Sequence, residues 1–328
     1  MTSDLYNAIT GFAVGDAIGV PYEFKKRGTF HCTNMRASTF KDSHFPLPLG
    51  SWSDDTSLML CVLDALTIKK HYDMQETPPM LLETIKKRNK MIKKKVYNKF
   101  KKNAISWMYL GKYTNHCYRI PFDIGNSCRR GINSMIIGKH NEKADMVKSN
   151  GNGGLMRILP LAFLDLKDDK EILEYIKLFN ECSHNHKISN IGCLIYIKIA
   201  QAILKNKHSS TREVVKKAIH SISDKYKIDE YKRIWDLSII DTNLENIKST
   251  GYVVDTLEAV VWCLTNNFTY EDTVLFATNL GGDTDTISAL VGGLAGMYYN
   301  LVPEGWINNT RRKKMLKEMC EKFERGVL

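Results

Sequence analysis

Apolar residues three and four positions apart recur along almost the whole chain, and stretches in which apolar and polar residues alternate are hard to find. A helix gathers such residues on one face, whereas a half-buried strand needs a period of two, so the pattern predicts helices and argues against a sheet. Leu5, Ile9, Phe12 and Ala13 mark a first helix over about 3–19, and Leu58, Val62, Leu63 and Leu66 mark a second that opens near Asp55. Ile105, Met108 and Tyr109 mark a third. The spacing continues through about 170–182, 189–205, 211–223, 228–240, 253–266, 270–280 and 285–300. Many helices joined by short loops, with no fixed-period repeat and no long linker, imply one compact, orthogonal all-α domain over residues 1–328.

No run approaches the roughly 20 apolar residues of a membrane-spanning helix. The N-terminus also lacks the basic segment and apolar stretch of a signal peptide. The chain therefore reads as a cytoplasmic protein without membrane contact, expected to be a monomer. Eight cysteines are scattered without a C-x-x-C pair, which argues against a zinc ribbon or a disulfide framework and leaves reduced, mostly buried thiols.

The formal net charge of +11 raises the question of nucleic acid, and where the charge sits matters more than its size. Between Lys86 and Lys102 there are ten Lys or Arg and no acid. Such a run can track phosphates, and the interleaved Tyr97 and Phe100 can stack on bases. The solvated face of a helix in a lysine-rich chain is the preferred reading, with nucleic-acid binding second. Together with Pro78-Pro79, the run makes 67–102 look like a basic surface excursion from the domain.

Gly, Asn, Ser and Asp concentrate at 50–57, 121–127, 149–154 and 281–286. Ser53-Asp54-Asp55-Thr56 stands at the start of a helix, where one acid can serve as a cap. Two adjacent acids flanked by hydroxyls exceed that need, and the cluster reads equally as a metal site. Gly281-Gly282-Asp283-Thr284-Asp285-Thr286 opens another apolar helix and offers hard oxygen ligands after a tight turn. Neither cluster contains His or Cys, which favours Mg²⁺, or else Mn²⁺, over zinc or copper. Two such clusters, at opposite ends of the chain and each at a helix start, suggest convergence on one site, where unpaired acids are strongly destabilising and a pair of divalent cations is the economical expectation. The alternative is two separately capped helices.

Six segments, in this order, resemble the ADP-ribosylglycohydrolase family: Gly15 to Phe24, Trp52 to Thr56, Pro121 to Asn126, Gly151 to Arg157, Ser183-His184, and Gly281 to Thr286. The resemblance implies an all-helical hydrolase that holds two divalent metal ions and removes ADP-ribose from a modified protein or small molecule. It implies Ser53, Asp54, Asp55, Asp283, Asp285 and Thr286 as metal ligands, and Glu23 and Asp123 as catalytic acids. It also implies Asn126, Gly151, Asn152, Gly153, Gly154 and His184 as substrate-binding residues. Each keeps a plainer reading, as a surface acid, a helix cap, a turn former or a structural histidine.

The Phe122-Asp123-Ile124-Gly125-Asn126 segment looks more like the branch of the family that acts on ADP-ribosyl-arginine than those acting on serine conjugates, poly(ADP-ribose) or O-acetyl-ADP-ribose. An oxocarbenium-like transition state calls for nearby negative charge and an acid for the leaving group, a role open to Glu23 or Asp123. Exposed backbone amides at Gly151 to Leu155 are the candidate donors to the diphosphate. The alternative classes are a non-catalytic ADP-ribose-binding module and a helical nucleic-acid-binding protein.

Overall fold

The structure, a computed structural model, describes residues 3–38, 46–68, 82–115, 121–166 and 168–327. Among these the regular elements are helical, and backbone pairing of the β type is confined to two isolated bridges, Ser38 with Leu47 and Gly151 with Tyr252. In chain order the helices are α1 (Asp4–Gly19), α2 (Asp54–Leu66), α3 (Leu82–Leu110), α4 (Asn126–Ile137), α5 (Asp169–Asn180), α6 (Lys187–Lys205) and α7 (Thr211–His220). There follow α8 (Lys232–Trp235), α9 (Val253–Thr265), α10 (Tyr270–Asn279), α11 (Thr284–Tyr299), α12 (Glu304–Asn309) and α13 (Lys313–Val327). Short 3₁₀ turns fill many of the connections.

The expected all-α domain is present. Its centre is the pair α1 and α11, which lie backbone against backbone. A Cβ added at Gly15 would stand 2.0 Å from the Ser288 carbonyl oxygen, and one at Gly19 would stand 2.4 Å from the Cα of Asp285. Only glycine permits this approach, and it brings Asp16 of α1 beside the start of α11. Helix α1 is buried on every side from Asn7 to Gly19, as is α2 along its whole length. Helices that are apolar all round belong in an interior, so the first turns of α2 and α11 open inside the molecule.

Helix α6 is long and apolar enough to match a membrane span by length and composition, but here it is a core helix, with Cys193 to Ile197 fully buried. Seven described cysteines are buried and free; Cys117 lies outside the described residues.

Two stretches differ from the sequence expectation. The helix expected over 228–240 breaks into α8 between 3₁₀ turns, because Leu237 adopts φ +63° and Asp236 Oδ1 accepts the amide of Ser238 at 3.0 Å. The basic run lies on the solvated face of a helix, as preferred from the sequence, but that helix is α3, a single amphipathic helix that begins well before Ile105. Its Val96, Phe100, Ala104 and Trp107 are buried, and Phe100 meets Phe179 edge-on at 5.2 Å between ring centroids. Phe100 is therefore not available to stack on a base, and Tyr97 is half-buried against the core. Lys90, Lys94, Lys95 and Lys102 occupy the exposed face. Of the proposed excursion, 69–81 lies outside the described residues.

Candidate functional site

The start of α2 is fixed from two directions. Ser53 is its N-cap, its hydroxyl accepting the Asp55 amide at 3.2 Å. Asp16, reaching across from α1, accepts the Ser53 amide at 2.8 Å, the Thr56 amide at 3.0 Å and the Thr56 hydroxyl at 2.6 Å. A fully buried carboxylate thus replaces water for the orphan amides of the first turn. Burial pushes the Asp16 carboxyl up to about 6, the hydrogen bonds offsetting part of that rise.

The start of α11 is fixed by its two glycines, at φ +71° and +72°, a conformation that costs glycine nothing. Their turn pairs with the segment after α1: the Phe24 amide donates to the Gly282 carbonyl at 2.7 Å and the Gly282 amide to the Lys25 carbonyl at 2.9 Å. The Asp283 amide donates to the Ser249 carbonyl at 2.9 Å, and the Thr284 hydroxyl to the Gly19 carbonyl at 2.8 Å. Glu23, at the end of the short 3₁₀ turn that follows α1, is by this pairing carried to the same glycine turn.

The two acidic clusters meet. Carboxylate oxygens of Asp16, Asp55 and Asp285 lie within 4.8 Å of one another, as do those of Glu23, Asp283 and Asp285, so that Asp285 belongs to both groups. Asp55 Oδ2 accepts the Ser53 hydroxyl at 2.9 Å and the Thr286 hydroxyl at 3.4 Å. Asp54 stands on the other side of the helix start, where its Oδ2 accepts the Gly125 amide at 3.4 Å. Three buried oxygens find no hydrogen-bond partner: Asp55 Oδ1, Asp285 Oδ2 and Glu23 Oε2.

Electrostatics agree with the geometry. Burial, followed by the charges of other carboxylates, raises Asp54, Asp55 and Asp285 well above the ordinary range. Burial, then Asp123, Asp283, Asp54 and Asp16, pushes Glu23 up to about 10. Among the described residues no lysine or arginine forms an ion pair with Asp54, Asp55, Asp283 or Asp285. Unpaired buried carboxylates with orphaned oxygens, all hard donors, fit divalent cations such as Mg²⁺ or Mn²⁺.

Asp123 is half-buried in a left-handed conformation, φ +56°, and its effect on Glu23 and Asp54 places it at the same cluster. Asn126 is exposed in the first turn of α4. The glycine segment passes close by. Asn152 is buried, and its Nδ2 donates to Asp283 Oδ2 at 2.7 Å and to Thr256 Oγ1 at 3.0 Å. Backbone bonds of Asn152 to Gly251 and of Val253 to Asn150 hold Gly151 against Tyr252.

His184 lies beneath this segment. A Cβ at Gly153 would come 2.7 Å from its Cε1, and one at Gly154 would come 2.7 Å from Asn180 Oδ1. Arg157 donates to the Ser183 hydroxyl at 2.6 Å, and that hydroxyl in turn meets His184 Nδ1 at 2.9 Å. Burial, then Arg157 and Arg130, lowers His184 to about 3, so the ring is neutral.

All the residues singled out in the sequence thus fall in one region, except that Asn126 stands outside the buried set and His184 sits under the glycine segment. Asp16 was missed as a functional residue, although an acid alone in the apolar stretch from Ala8 to Ile18 was a signal available to be read. Tyr252, not singled out in the sequence, is 39% exposed beside Gly151.

A family model described as ADP-ribosylglycohydrolase matches residues 2–327. The ADP-ribosylarginine hydrolase Tri1 of Pseudomonas putida (strain GB-1) is 26% identical over 326 residues, covering 97% of this chain and 77% of the relative. The ADP-ribosyl-[dinitrogen reductase] glycohydrolase of Rhodospirillum rubrum is 24% identical, covering 93% of this chain and 90% of the relative. A solved structure titled ADP-ribosylglycohydrolase-related protein complex superposes with a TM-score of 0.70 at 21% identity, covering 98% of this chain and 97% of that one, a likeness of fold.

Proposed function

The chain belongs to the ADP-ribosylglycohydrolase family, and from that membership we propose that it hydrolyses the bond between ADP-ribose and an arginine side chain of a modified protein, with two Mg²⁺ ions as cofactors. The observation that carries this reading is the convergence of Asp55, Asp285, Asp283 and Glu23 from opposite ends of the chain, with buried oxygens left without partners. The names of two relatives, an ADP-ribosylarginine hydrolase and a dinitrogen-reductase glycohydrolase, support the linkage.

In this reading Ser53, Asp54, Asp55, Asp283, Asp285 and Thr286 would hold the two cations, with Asp285, which belongs to both oxygen groups, the candidate common ligand. Asp16 has both oxygens engaged by Ser53 and Thr56, so it orients the ligand-bearing turn and is not itself a ligand. Lewis acidity toward the ribose hydroxyls is what divalent cations supply when bound. The chain's own groups do the rest. Burial and the neighbouring carboxylates favour the protonated form of Glu23, which would serve as the acid for the leaving nitrogen. Asp123 and Asn126 face the leaving group, the carboxylate pairing with the guanidinium. The backbone of Gly151 to Gly154 receives the diphosphate, and the neutral His184 supports that segment from below. Half-exposed Tyr252 offers an aromatic wall beside it.

We take the chain to act as a single domain and a monomer. Free, buried cysteines suit a reducing, cytoplasmic setting. The test is release of ADP-ribose from arginine-, serine- and acetyl-linked substrates, with Mg²⁺, Mn²⁺ or EDTA, by the wild type and by Asp283→Ala. Release from the arginine linkage alone, lost with EDTA and in the variant, is expected. Tight binding of ADP-ribose by folded protein without release from any linkage would replace the enzyme by a binding module.

A further inference from the structure

The segment that carries Glu23 is held by a side chain outside the acidic cluster. Arg27 is half-buried, and its three nitrogens donate to three carbonyls: Nε to Leu280 at 2.8 Å, Nη1 to Leu244 at 2.7 Å and Nη2 to Ile247 at 2.6 Å. Leu280 immediately precedes the Gly281-Gly282 turn, and the 244–247 segment leads into Ser249, whose carbonyl accepts the Asp283 amide at 2.9 Å. One guanidinium thus joins the three stretches that meet behind Asp283. The contact is close as well as bonded: a Cβ at Gly281 would lie 2.6 Å from the Arg27 amide nitrogen.

Between Glu23 and Arg27 the backbone is strained. Phe24 adopts φ +59°, costly for a bulky residue, and its ring is 76% exposed, so no burial of its side chain holds it there. The surrounding backbone must. The two hydrogen bonds of Phe24 and Lys25 with Gly282 supply part of the restraint, and Arg27 anchors the segment three residues further on.

We propose that Arg27 is a positioning residue: by tying the 22–28 segment to the 280–283 turn and to 244–247, it fixes the place of Glu23 against Asp283 and Asp285. The proposal rests on the hydrolase reading for what Glu23 then does, but the tether itself is independent of the reaction. A guanidinium is needed because its planar fork serves three acceptors at once; an ammonium keeps the charge and cannot span them.

The experiment compares the full-length wild type with Arg27→Gln and Arg27→Lys by hydrogen exchange and by turnover of an ADP-ribosyl-arginine substrate with Mg²⁺. In both variants the peptide covering 20–30 should exchange at least about tenfold faster while α6 stays within about twofold, showing an intact fold with a freed segment. Turnover should fall at least about tenfold with KM within about threefold, since substrate contacts are untouched. Unchanged exchange in 20–30, or a freed segment with wild-type turnover, overturns the proposal. So does full recovery in Arg27→Lys, which would make charge the operative property. If Arg27→Gln also loosens α6, Arg27→Lys decides by the same two readouts. A wild type inert on every linkage removes the hydrolase reading, and the exchange result still decides whether Arg27 holds the segment.

Discussion

Helix α2 carries carboxylates at both ends, and the two ends are treated in opposite ways. Asp55, in its first turn, has only hydroxyls and other acids around it. Asp64, nine residues and about 14 Å along the same helix, meets Lys322 at 2.7 Å, Lys99 at 3.3 Å and Lys112 at 3.8 Å, and accepts Asn103 Nδ2 at 3.0 Å. Burial pushes the Asp64 carboxyl up, but Lys322, Lys99 and Asn103 more than offset this and hold it at about 2. In the first turn the Ser53 hydroxyl is outweighed by burial and the neighbouring acids, and Asp55 rises. A chain with 47 Lys and Arg does not lack counter-ions. Three lysines gather on Asp64 while Asp54, Asp55, Asp283 and Asp285 form no described ion pair, a contrast that fits the cations of the proposed function.

The largest effect expected from this contrast is on activity. Asp285→Asn should lower kcat/KM by about 100-fold or more, because a shared ligand is lost with several kcal/mol of transition-state stabilisation. Its Tm in EDTA should not fall and should rise slightly, since one buried, repelled carboxylate is gone. Asp64→Asn should do the reverse, leaving turnover within about twofold. A loss of Tm in EDTA for Asp285→Asn as large as that for Asp64→Asn would break the comparison.

The pH dependence should also separate the two ends. A carboxyl whose folded pKa lies above its unfolded value binds more protons in the folded state, so it destabilises at high pH and the penalty lifts as pH falls. Asp16, at about 6, and Glu23, at about 10, are such groups, and so are Asp54, Asp55 and Asp285. Metal-free protein should therefore melt several degrees higher at pH 5 than at pH 8. Asp64 has the opposite sign: its contribution is complete above about 4 and is lost as pH falls toward about 2. Saturating Mg²⁺ should raise Tm more at pH 8 than at pH 5. Melting scans at both values, with EDTA and with Mg²⁺, check this, and a Tm in EDTA that is higher at pH 8 contradicts it.

Third in size is the stability of Asp64 itself. The depression of its pKa from 3.8 to about 2 corresponds to about 2 kcal/mol. Asp64→Asn should cost about that much in urea unfolding at pH 7 and much less near pH 2. Equal losses at both values would mean that packing, and not charge, explains the site.

How much of this the sequence disclosed follows from the range of the interactions. Helices were legible wherever apolar residues sit three and four apart, because that periodicity is local. Helix α13 had the same signal in Leu316, Met319, Cys320 and Phe323, and was left unread although all four are buried. The break at Leu237 was not legible, since a left-handed leucine is forced by its surroundings and has no residue signature. The acids of the two helix starts were legible as types, their likeness already pointed to one site, and the family resemblance then named them as ligands. Asp16 was passed over because an acid on an apolar helix declares its role only when the opposing amides of Ser53 and Thr56 are in view. The Arg27 tether was beyond reach: its acceptors are backbone carbonyls more than 200 residues away, and any residue supplies a carbonyl.

The smallest effect sharpens the comparison most finely, because it asks whether the lysines at Asp64 share the work. Lys322 makes the shortest contact, yet its side chain is 57% exposed, and water screens an ammonium there. Lys99 and Lys112 remain when it is removed. Lys322→Met should then cost about 1 kcal/mol or less, and leave turnover unchanged. The acid limb of the stability curve should move slightly upward in pH as the hold on Asp64 weakens. If Lys322→Met costs as much as Asp64→Asn, one lysine carries the site alone and the other two are solvated neighbours. If it costs nothing and the acid limb does not move, Lys99 and Asn103, deeper in the fold, set the charge of Asp64 between them.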